Sequence, residues 1–289
     1  MGAIEAGGTK WICAIGTVAG RVIEEVVVPT RGPSETVPEV RAVFDRLQQK
    51  HGRIEGMGVG SFGPVTVERS AKNYGVVLNS PKAAWRGFDY LAALRGHFGS
   101  DFPVVIETDV NTAAFAEDRG SGTLVYVTVG TGIGGGVVKD GEIWHGRMHP
   151  EIGHIMVAES PREPKPGFSC CSFHPGCVEG KASGSAMVKR WGMAAHELSV
   201  DHEAWALEAE YLASLAVSLT AAFSPDRIVW GGGVLKFEPL LPLMREKFEA
   251  MAGGYWDLPK VRDYLQMTTL NDRAGLHGAL ALIARELGS

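Results

Sequence analysis

Short apolar runs separated by turns open the chain and then give way to a helical pattern. The runs GAIEAGGTK, WICAIGTV and RVIEEVVV fill the first thirty residues and alternate with glycine-containing turns. This pattern predicts three strands in a meander. Segment 33–50 then spaces its apolar residues three or four apart, which predicts an amphipathic helix. The apolar positions are Val37, Val40, Val43, Phe44 and Leu47.

The order of elements in the first half of the chain recurs in the second. GMGVGSFGP predicts a strand that ends in a Gly/Pro loop, and residues 90–98 a helix. PVVIETDVNTAAFAED predicts a strand followed by a helix that begins near Asp109. A second meander begins near residue 123 with TLVYVTVG and GVVKDGEIW. The repetition predicts an α/β protein of two similar domains with a cleft between them.

A long irregular stretch and then a helical region make up the rest of the chain. Residues 145–180 show no regular period, and loops of this length are uncommon unless they are functional or cross-linked. One strand, in DRIVWGGG, interrupts the helical region that follows. The predicted helices cover residues 184–193, 201–223, 236–251 and 273–287.

Composition narrows the class of protein. A chain of 289 residues with 45% hydrophobic residues can bury one large core or two of ordinary size. Lys and Arg number 28 against 33 Asp and Glu, so a net charge of −5 gives no indication of nucleic-acid binding. The N-terminus lacks a charged region followed by an apolar stretch. We expect a soluble cytoplasmic protein that binds neither nucleic acid nor membrane.

Three compact glycine clusters suggest backbone wrapped around phosphate groups. EAGGTK lies between two predicted strands, VGTGIGGG occupies the same place in the second meander, and WGGGV follows a strand and precedes a helix. Exposed backbone N–H groups at such turns can bind anions. Glu5 ends the first strand and is a candidate for Mg²⁺ binding through water. The candidate nucleotide-binding residues are Gly7, Gly8, Thr9, Lys10, Gly130, Thr131, Gly132, Gly231, Gly232 and Gly233.

Each cluster taken alone also fits a plain hairpin turn. None matches GxxxxGK[ST], which excludes a P-loop. The GxGxxG-like string at residues 130–135 lies between two strands instead of between a strand and a helix, so it does not indicate a dinucleotide fold. Three clusters at matching places favour the phosphate interpretation.

Asp109 has two interpretations. It stands where a strand ends and a helix begins, and Asp is a favoured helix N-cap. It is also suited to act as a general base, because phosphoryl transfer needs a carboxylate that takes the proton of the attacking hydroxyl.

Together, these motifs resemble the ROK family of sugar kinases, and within it the bacterial fructokinases. The resemblance runs nearly end to end: EAGGTK and VTVGTGIGGG resemble the phosphate motifs, ETDVNTAA the catalytic-Asp segment, and WGGG the adenosine motif. HPEIGH and GCVEGKASG resemble the sugar and zinc signature. The resemblance implies an actin-like ATPase (ribonuclease H-like) fold of two α/β domains, with ATP·Mg²⁺ and sugar in the central cleft.

The resemblance also implies the boundaries and roles. An N-terminal domain would comprise residues 1–112 and about 273–289, and a C-terminal domain residues 113–272. Asp109 matches the base, and the residues that match or lie near sugar ligands are Asn79, Glu151, His154 and Glu179. The implied activity is ATP-dependent phosphorylation of fructose by a homodimer. Another hexose or aminosugar kinase, or an inactive sugar-binding regulator, remains as an alternative.

Two positions depart from the family pattern. The first motif often carries Asp where this chain has Glu5, so direct Mg²⁺ binding there is less strongly implied. Many glucokinase-like members have Asn before the catalytic Asp, but this chain has Thr108. The change removes an amide partner for a pyranose, which argues against glucose and N-acetylmannosamine.

The run SCCSFHPGC holds three of the four cysteines beside a histidine. Zinc in structural sites takes four N or S ligands in a tetrahedral arrangement. The C-x-x-H-x-x-C spacing of Cys171, His174 and Cys177 lets one loop present three ligands, and His154 would supply the fourth. Cys170 is left over, because adjacent cysteines rarely bind one metal without strain. The alternative is a set of buried thiols beside a chance histidine.

A site closed by four protein ligands leaves no position for water, so this zinc would be structural and would hold the loop that carries Glu151 and Glu179. His154 would serve twice, with one ring nitrogen on zinc and the other donating to a sugar hydroxyl.

Overall fold

A computed structural model of the chain describes residues 1–288 and divides them into two compact units. Unit 1 contains residues 1–117, 143–149 and the chain from residue 273 onward. Unit 2 contains residues 118–142 and 150–272. The boundaries expected from the sequence differ from these at residues 113–117 and 143–149.

The strands follow the predicted meanders. Within residues 1–288 they are β1 (Gly2–Ala6), β2 (Lys10–Gly16), β3 (Val22–Pro29), β4 (Met57–Ser61), β5 (Val104–Thr108), β6 (Thr123–Val129), β7 (Ile133–Lys139), β8 (Glu142–Ile143), β9 (Arg227–Gly231) and β10 (Leu265–Met267). The helices of the same range are α1 (Pro33–His51), α2 (Tyr90–Phe98), α3 (Asp109–Glu117), α4 (Val178–Ala182), α5 (Gly184–Trp191), α6 (Ala204–Phe223), α7 (Leu240–Ala252), α8 (Val261–Tyr264) and α9 (Ala274–Glu286).

The sheet of unit 1 has the strand order β3-β2-β1-β4-β5. β1, β2 and β3 are antiparallel, whereas β1, β4 and β5 run parallel, so the C-terminal ends of β1, β4 and β5 meet at one edge. This edge carries the turn after β1 and the start of α3, which are two of the motifs found in the sequence.

Helices cover both faces of this sheet. On one face, Val40, Val43, Phe44 and Leu47 of α1 join the core, as their helical spacing predicts. On the other, Leu276, Ala279 and Leu280 of α9 pack against apolar residues of β1 and β2. Gly58 of β4 lies directly against the Ala279 carbonyl, and any Cβ there would collide with it. A glycine is therefore required for α9 to approach the sheet.

The segment 143–149 also belongs to unit 1. Ile143 packs on a small cluster formed by Val105, Leu282 and Ile283. His145 lies 3.1 Å from a carboxylate oxygen of Glu107. The chain thus leaves unit 2 after Glu142 and returns to it at Pro150.

The sheet of unit 2 has the order β10-β9-β6-β7-β8. β6 and β7 are antiparallel, whereas β6, β9 and β10 run parallel. α6 is central to this unit's core: its apolar length would suffice to cross a membrane, but most of its residues from Ala204 to Thr220 are buried against the sheet and neighbouring helices. Core packing therefore accounts for the apolar character of α6.

Most of these elements were predicted from the sequence, but some of their observed ends differ from the predicted ones. α6 begins at Ala204, and α7 begins at Leu240 because residues 234–236 form a separate 3₁₀ turn. Three elements were missed: α4, α8 and β10. They are too short, at five, four and three residues, to show a period in the sequence.

Candidate active site and metal centre

The junction of β5 and α3 carries Asp109. The strand ends at Thr108 and the helix begins at the next residue, without a loop. The Thr108 hydroxyl accepts a hydrogen bond from the Asn111 N–H at 3.1 Å, which is the bond that caps a helix N-terminus. The Asp109 Oδ1 accepts from the neighbouring Val110 N–H at 2.9 Å. The alternative in which Asp109 is the cap is therefore wrong, because Thr108 provides that hydrogen bond.

Asp109 lies at the N-terminal end of α3. It is the first residue of a nine-residue helix, where the helix dipole stabilises negative charge. Thr108 is buried, and its hydroxyl is engaged by the helix backbone. The Thr at this position therefore has a local structural role.

The first glycine motif forms the tight turn between β1 and β2. The Gly7 N–H donates to the Lys10 carbonyl at 3.0 Å, and the Thr30 hydroxyl donates to the Gly7 carbonyl at 2.7 Å. Thr9 and Lys10 are exposed at this turn. A cation that the sequence did not point to lies here as well: Lys82 Nζ is 3.4 Å from the place a Cβ on Gly8 would take. The turn is thus fixed at both ends and has two lysines beside it.

Glu5 lies at the end of β1, as expected, and α9 passes close to it. A Cβ on Gly275 would lie 2.8 Å from the Glu5 carboxyl carbon. Because Gly275 has no side chain, the Glu5 carboxylate can occupy the space beside α9.

In unit 2, the second and third glycine motifs meet at one cavity of about 620 Å³. Ligand pockets of proteins range from about 300 to 1,000 Å³. The Gly184 N–H donates to the Gly130 carbonyl at 2.7 Å, which joins the β6–β7 turn to the start of α5. Residues of three segments line the cavity: Gly130, Thr131, Gly184, Ser185, Val188, Lys189, Ala194, Ala195, His196, Gly233 and Val234.

The third motif needs its glycines for a close approach. Gly232 has a φ of +95°, and a Cβ there would overlap the backbone of Val129. Gly231 ends β9 beside the Tyr126 hydroxyl. His196, which also lines the cavity, lies on a short 3₁₀ turn, and no sequence pattern pointed to it.

Glu179, on α4, reaches the β6–β7 turn. Its Oε2 accepts from the Ile133 N–H at 2.9 Å, and a Cβ on Gly132 would lie 2.5 Å from that oxygen. Desolvation by surrounding protein atoms, together with the negative charge of Glu179, raises the pKa of Glu151 to about 7. The two carboxylates expected to bind sugar are thus electrostatically linked within unit 2.

Asn79, the other residue expected near the sugar, is exposed in unit 1. The neighbouring Leu78 N–H donates to the Pro64 carbonyl at 2.8 Å, which ties this segment to the Gly/Pro loop after β4.

Four side chains of unit 2 form a cluster suited to a metal ion. The ligand atoms of His154, Cys171, His174 and Cys177 lie within 4.8 Å of one another. Ligand atoms of a tetrahedral zinc site are about 3.3–3.8 Å apart, given bond lengths of about 2.0–2.3 Å. A contraction of about 1 Å would therefore close the site. The two nitrogen and two sulfur atoms are the donor set that zinc prefers.

Backbone N–H groups donate hydrogen bonds to two of the cysteine sulfur atoms, as suits thiolates that bind a metal ion. The His174 N–H donates to the Cys171 Sγ at 3.3 Å, and the Gly180 N–H donates to the Cys177 Sγ at 3.4 Å. The Cys170 thiol lies apart from the cluster, 3.7 Å from the Ser183 hydroxyl and 3.8 Å from the Glu179 carbonyl oxygen.

The cluster also fixes two turns that carry glutamates. His154 ends a 3₁₀ turn that follows Glu151, and Cys177 precedes α4, which carries Glu179. An ion bound by the four ligands would therefore hold both glutamate segments.

A second set of contacts fastens the outer part of the loop. Arg190 of α5 and Glu163 form a buried ion pair at 2.9 Å, and the Tyr211 hydroxyl donates to Glu163 at the same distance. Nearer the cluster, the Lys181 ammonium lies 2.8 Å from Glu159. These ion pairs and the Tyr211 hydrogen bond attach residues 159–163 to α4, α5 and α6 without a metal.

Comparison with known proteins decides the family. The profile described as the ROK family matches residues 1–286. The chain belongs to the ROK family. A fructokinase from Pediococcus pentosaceus is 38% identical over 98% of this chain and 96% of its own length. A fructokinase from Zymomonas mobilis is 39% identical over 97% and 95%, respectively.

Solved structures agree with this membership. The ROK glucokinase from Streptomyces griseus, solved in complex with glucose and AMPPNP, is similar to this ROK protein with a TM-score of 0.78 and 25% identity. The similarity covers 98% of each chain. The chain therefore has the actin-like ATPase fold of the ROK sugar kinases, and it is a sugar kinase.

Proposed function

We propose that this ROK protein is an ATP-dependent fructokinase that converts D-fructose to fructose 6-phosphate. The observation that carries the proposal is the 38–39% identity to fructokinases over at least 97% of the chain. The glucokinase of similar fold is 25% identical. The Thr108 side chain supports the preference, because it is engaged in capping α3 and is not an additional amide partner for a pyranose.

In this proposal, Asp109 takes the proton of the sugar 6-hydroxyl. The hydroxyl oxygen then bonds to the γ-phosphorus of ATP while the bond from that phosphorus to the β,γ-bridging oxygen breaks, and ADP leaves. Asn79, Glu151, His154 and Glu179 bind and orient the sugar hydroxyls.

The glycine turns bind the nucleotide in the same proposal. Those at Gly7–Lys10 and Gly130–Gly132 provide backbone N–H groups to the phosphates. The cavity of about 620 Å³ beside Gly231–Gly233 holds the adenosine. Mg²⁺, held near Glu5 through water, would neutralise charge on the phosphates.

The metal proposed at His154, Cys171, His174 and Cys177 is zinc, with a structural role. Four protein ligands complete its coordination, so it takes no part in the phosphoryl transfer. Its function is to hold the segments that carry Glu151 and Glu179.

A coupled assay of ADP release tests the activity. Fructose, mannose, glucose and N-acetylmannosamine are compared at equal concentrations with ATP and Mg²⁺. We expect the highest kcat/KM with fructose. A higher value with another sugar would assign the chain to that hexose or aminosugar kinase activity, and sugar binding without any turnover would indicate a regulator.

We further propose that the enzyme is a cytoplasmic homodimer. Light scattering on the purified protein should give about twice the chain mass of 30.9 kDa. A monomeric mass would contradict this part of the proposal.

A further inference from the structure

Three polar side chains from separate parts of unit 1 meet beside α3. Glu107 lies on β5, Asn111 on α3, and His145 on the segment 143–149. The His145 Nε2 is 3.1 and 3.2 Å from the two oxygens of Glu107, and the Asn111 Nδ2 donates to Glu107 Oε2 at 2.9 Å. We name these three residues the Glu107 triad.

The Glu107 triad is largely shielded from solvent, so its hydrogen bonds contribute to stabilising the Glu107 carboxylate. Asn111 is fully buried and Glu107 is 6% exposed, whereas His145 is half-buried. A buried carboxylate is costly unless donors compensate its charge. Asn111 and His145 supply those donors, so removing either one leaves Glu107 with less compensation.

Two members of the Glu107 triad flank Asp109 in the chain. Glu107 stands two residues before Asp109 and Asn111 two residues after it. Their side-chain hydrogen bond therefore closes a short ring of backbone around Asp109, and the Thr108 cap lies inside the same ring. Few backbone torsions of this ring can change without breaking one of the two bonds.

We propose that the Glu107 triad positions Asp109 for proton transfer, and that His145 acts as a positioning residue through Glu107. The proposal rests on the proposed role of Asp109 as base. A displacement of about 1 Å at a reacting group can lower the rate by about 100-fold, so holding the first turn of α3 affects kcat directly.

The charge on His145 contributes to this arrangement. The hydrogen bond that His145 donates to Glu107 raises the pKa of His145, and the negative charges of Glu107 and Glu68 add to the effect, while burial opposes it. Arg147 lines the same small cavity as Glu68 and His145. Arg69 and Tyr74 interact electrostatically with Glu107, and Glu286 forms an ion pair with Arg69.

Because the pKa of His145 is raised, the charged pair with Glu107 is present below that pKa and is lost as the pH climbs through it. A neutral His145 still donates from Nε2 to Glu107 when its proton leaves Nδ1. We therefore expect a moderate decline of kcat on the alkaline side, of about three-fold.

The test measures kcat, the KM for fructose and the pH profile of wild type, His145→Ala and His145→Gln. Alanine removes the donor and should lower kcat about 10-fold with the KM changed less than about two-fold. Glutamine restores an N–H donor without a titrating group. Its kcat should be within about three-fold of wild type, without the alkaline decline that the His145–Glu107 pair produces.

The matched control is His97→Ala, because His97 pairs with Asp45 at 2.8 Å on the exposed surface of the same unit. It should leave kcat and the pH profile unchanged. If His145→Ala behaves like this control, or only lowers the melting temperature without changing kcat, the proposal is overturned.

A measurement independent of activity separates this proposal from the proposed function. NMR titration of the His145 ring should give a pKa above about 6.5 in wild type and a lower value in Glu107→Gln. An unchanged value would overturn the pairing. A wild-type protein that lacks turnover with every sugar would instead overturn the role of Asp109.

Discussion

The junction of β5 and α3 holds its candidate functional residue differently from the Cys/His loop, which we define as residues 144–177. At the junction, a strand runs directly into a helix, and side-chain hydrogen bonds among residues 107–111 close around Asp109. In the loop, residues 144–177 contain one 3₁₀ turn as their only helix or strand. The position of Glu151 therefore depends on contacts between residues that are far apart in sequence.

The difference follows from chain entropy. Closing a ring of five residues at the end of regular structure orders little additional chain, whereas fixing a long loop orders many residues. The loop has four candidate metal ligands and, farther out, the buried Glu163–Arg190 ion pair. Long irregular segments thus need cross-links to be held in place, whereas an element boundary needs only hydrogen bonds.

The largest expected effect is at the junction. Asp109→Asn should lower kcat about 1,000-fold, because general-base catalysis contributes about 10²–10⁴-fold. Fructose binding should persist, since the amide is nearly the same size. Steady-state kinetics and calorimetric titration measure the two quantities. Asp101→Asn, on the exposed loop before β5, is the control and should have wild-type activity; retained activity in Asp109→Asn would exclude Asp109 as the base.

The next largest effect is expected in the Cys/His loop, on removal of a proposed metal ligand. Elemental analysis of wild type should give about one zinc per chain. Cys177→Ser should lose the zinc and most activity, because Glu151 and Glu179 are no longer held. Cys170→Ser is the matched control, since the Cys170 thiol lies by Ser183 and not in the cluster. Zinc loss in both variants, or in neither, would contradict the assignment of ligands.

A smaller effect, on stability alone, separates the second attachment from the metal. Arg190→Met should lower the free energy of unfolding by about 3–5 kcal/mol, because Glu163 is left buried without its cation. Zinc content should stay unchanged. Arg162→Met removes an exposed pair with Glu210 and should cost less than about 1 kcal/mol in urea unfolding. Equal losses in the two variants would show that the buried pair is not an anchor.

Local patterns in the sequence were sufficient for much of the fold. The spacing of Val40, Val43, Phe44 and Leu47 predicted α1 because a helical period repeats every three or four residues. The C-x-x-H-x-x-C spacing predicted three members of the candidate metal cluster, because residues three apart in one tight loop can present their side chains to the same ion.

Contacts between distant residues were not predictable in this way. Glu107 and His145 are 38 residues apart, and their pairing depends on segment 143–149 joining unit 1. The cap of α3 was also left open by the sequence, because Thr108 and Asp109 are both good capping residues and only the observed end of β5 distinguishes them. The place of His196 at the unit 2 cavity likewise depends on tertiary structure.

The position of α9 has a consequence for the order in which the chain acquires its structure. During synthesis, α9 leaves the ribosome after all of unit 2, yet it covers Ala3, Ile12 and Ala14 of the first strands made. Until then, one face of the unit 1 sheet lacks its cover and is open to chaperones and proteases. We therefore expect unit 2 to mature first and unit 1 to complete its core only when α9 docks.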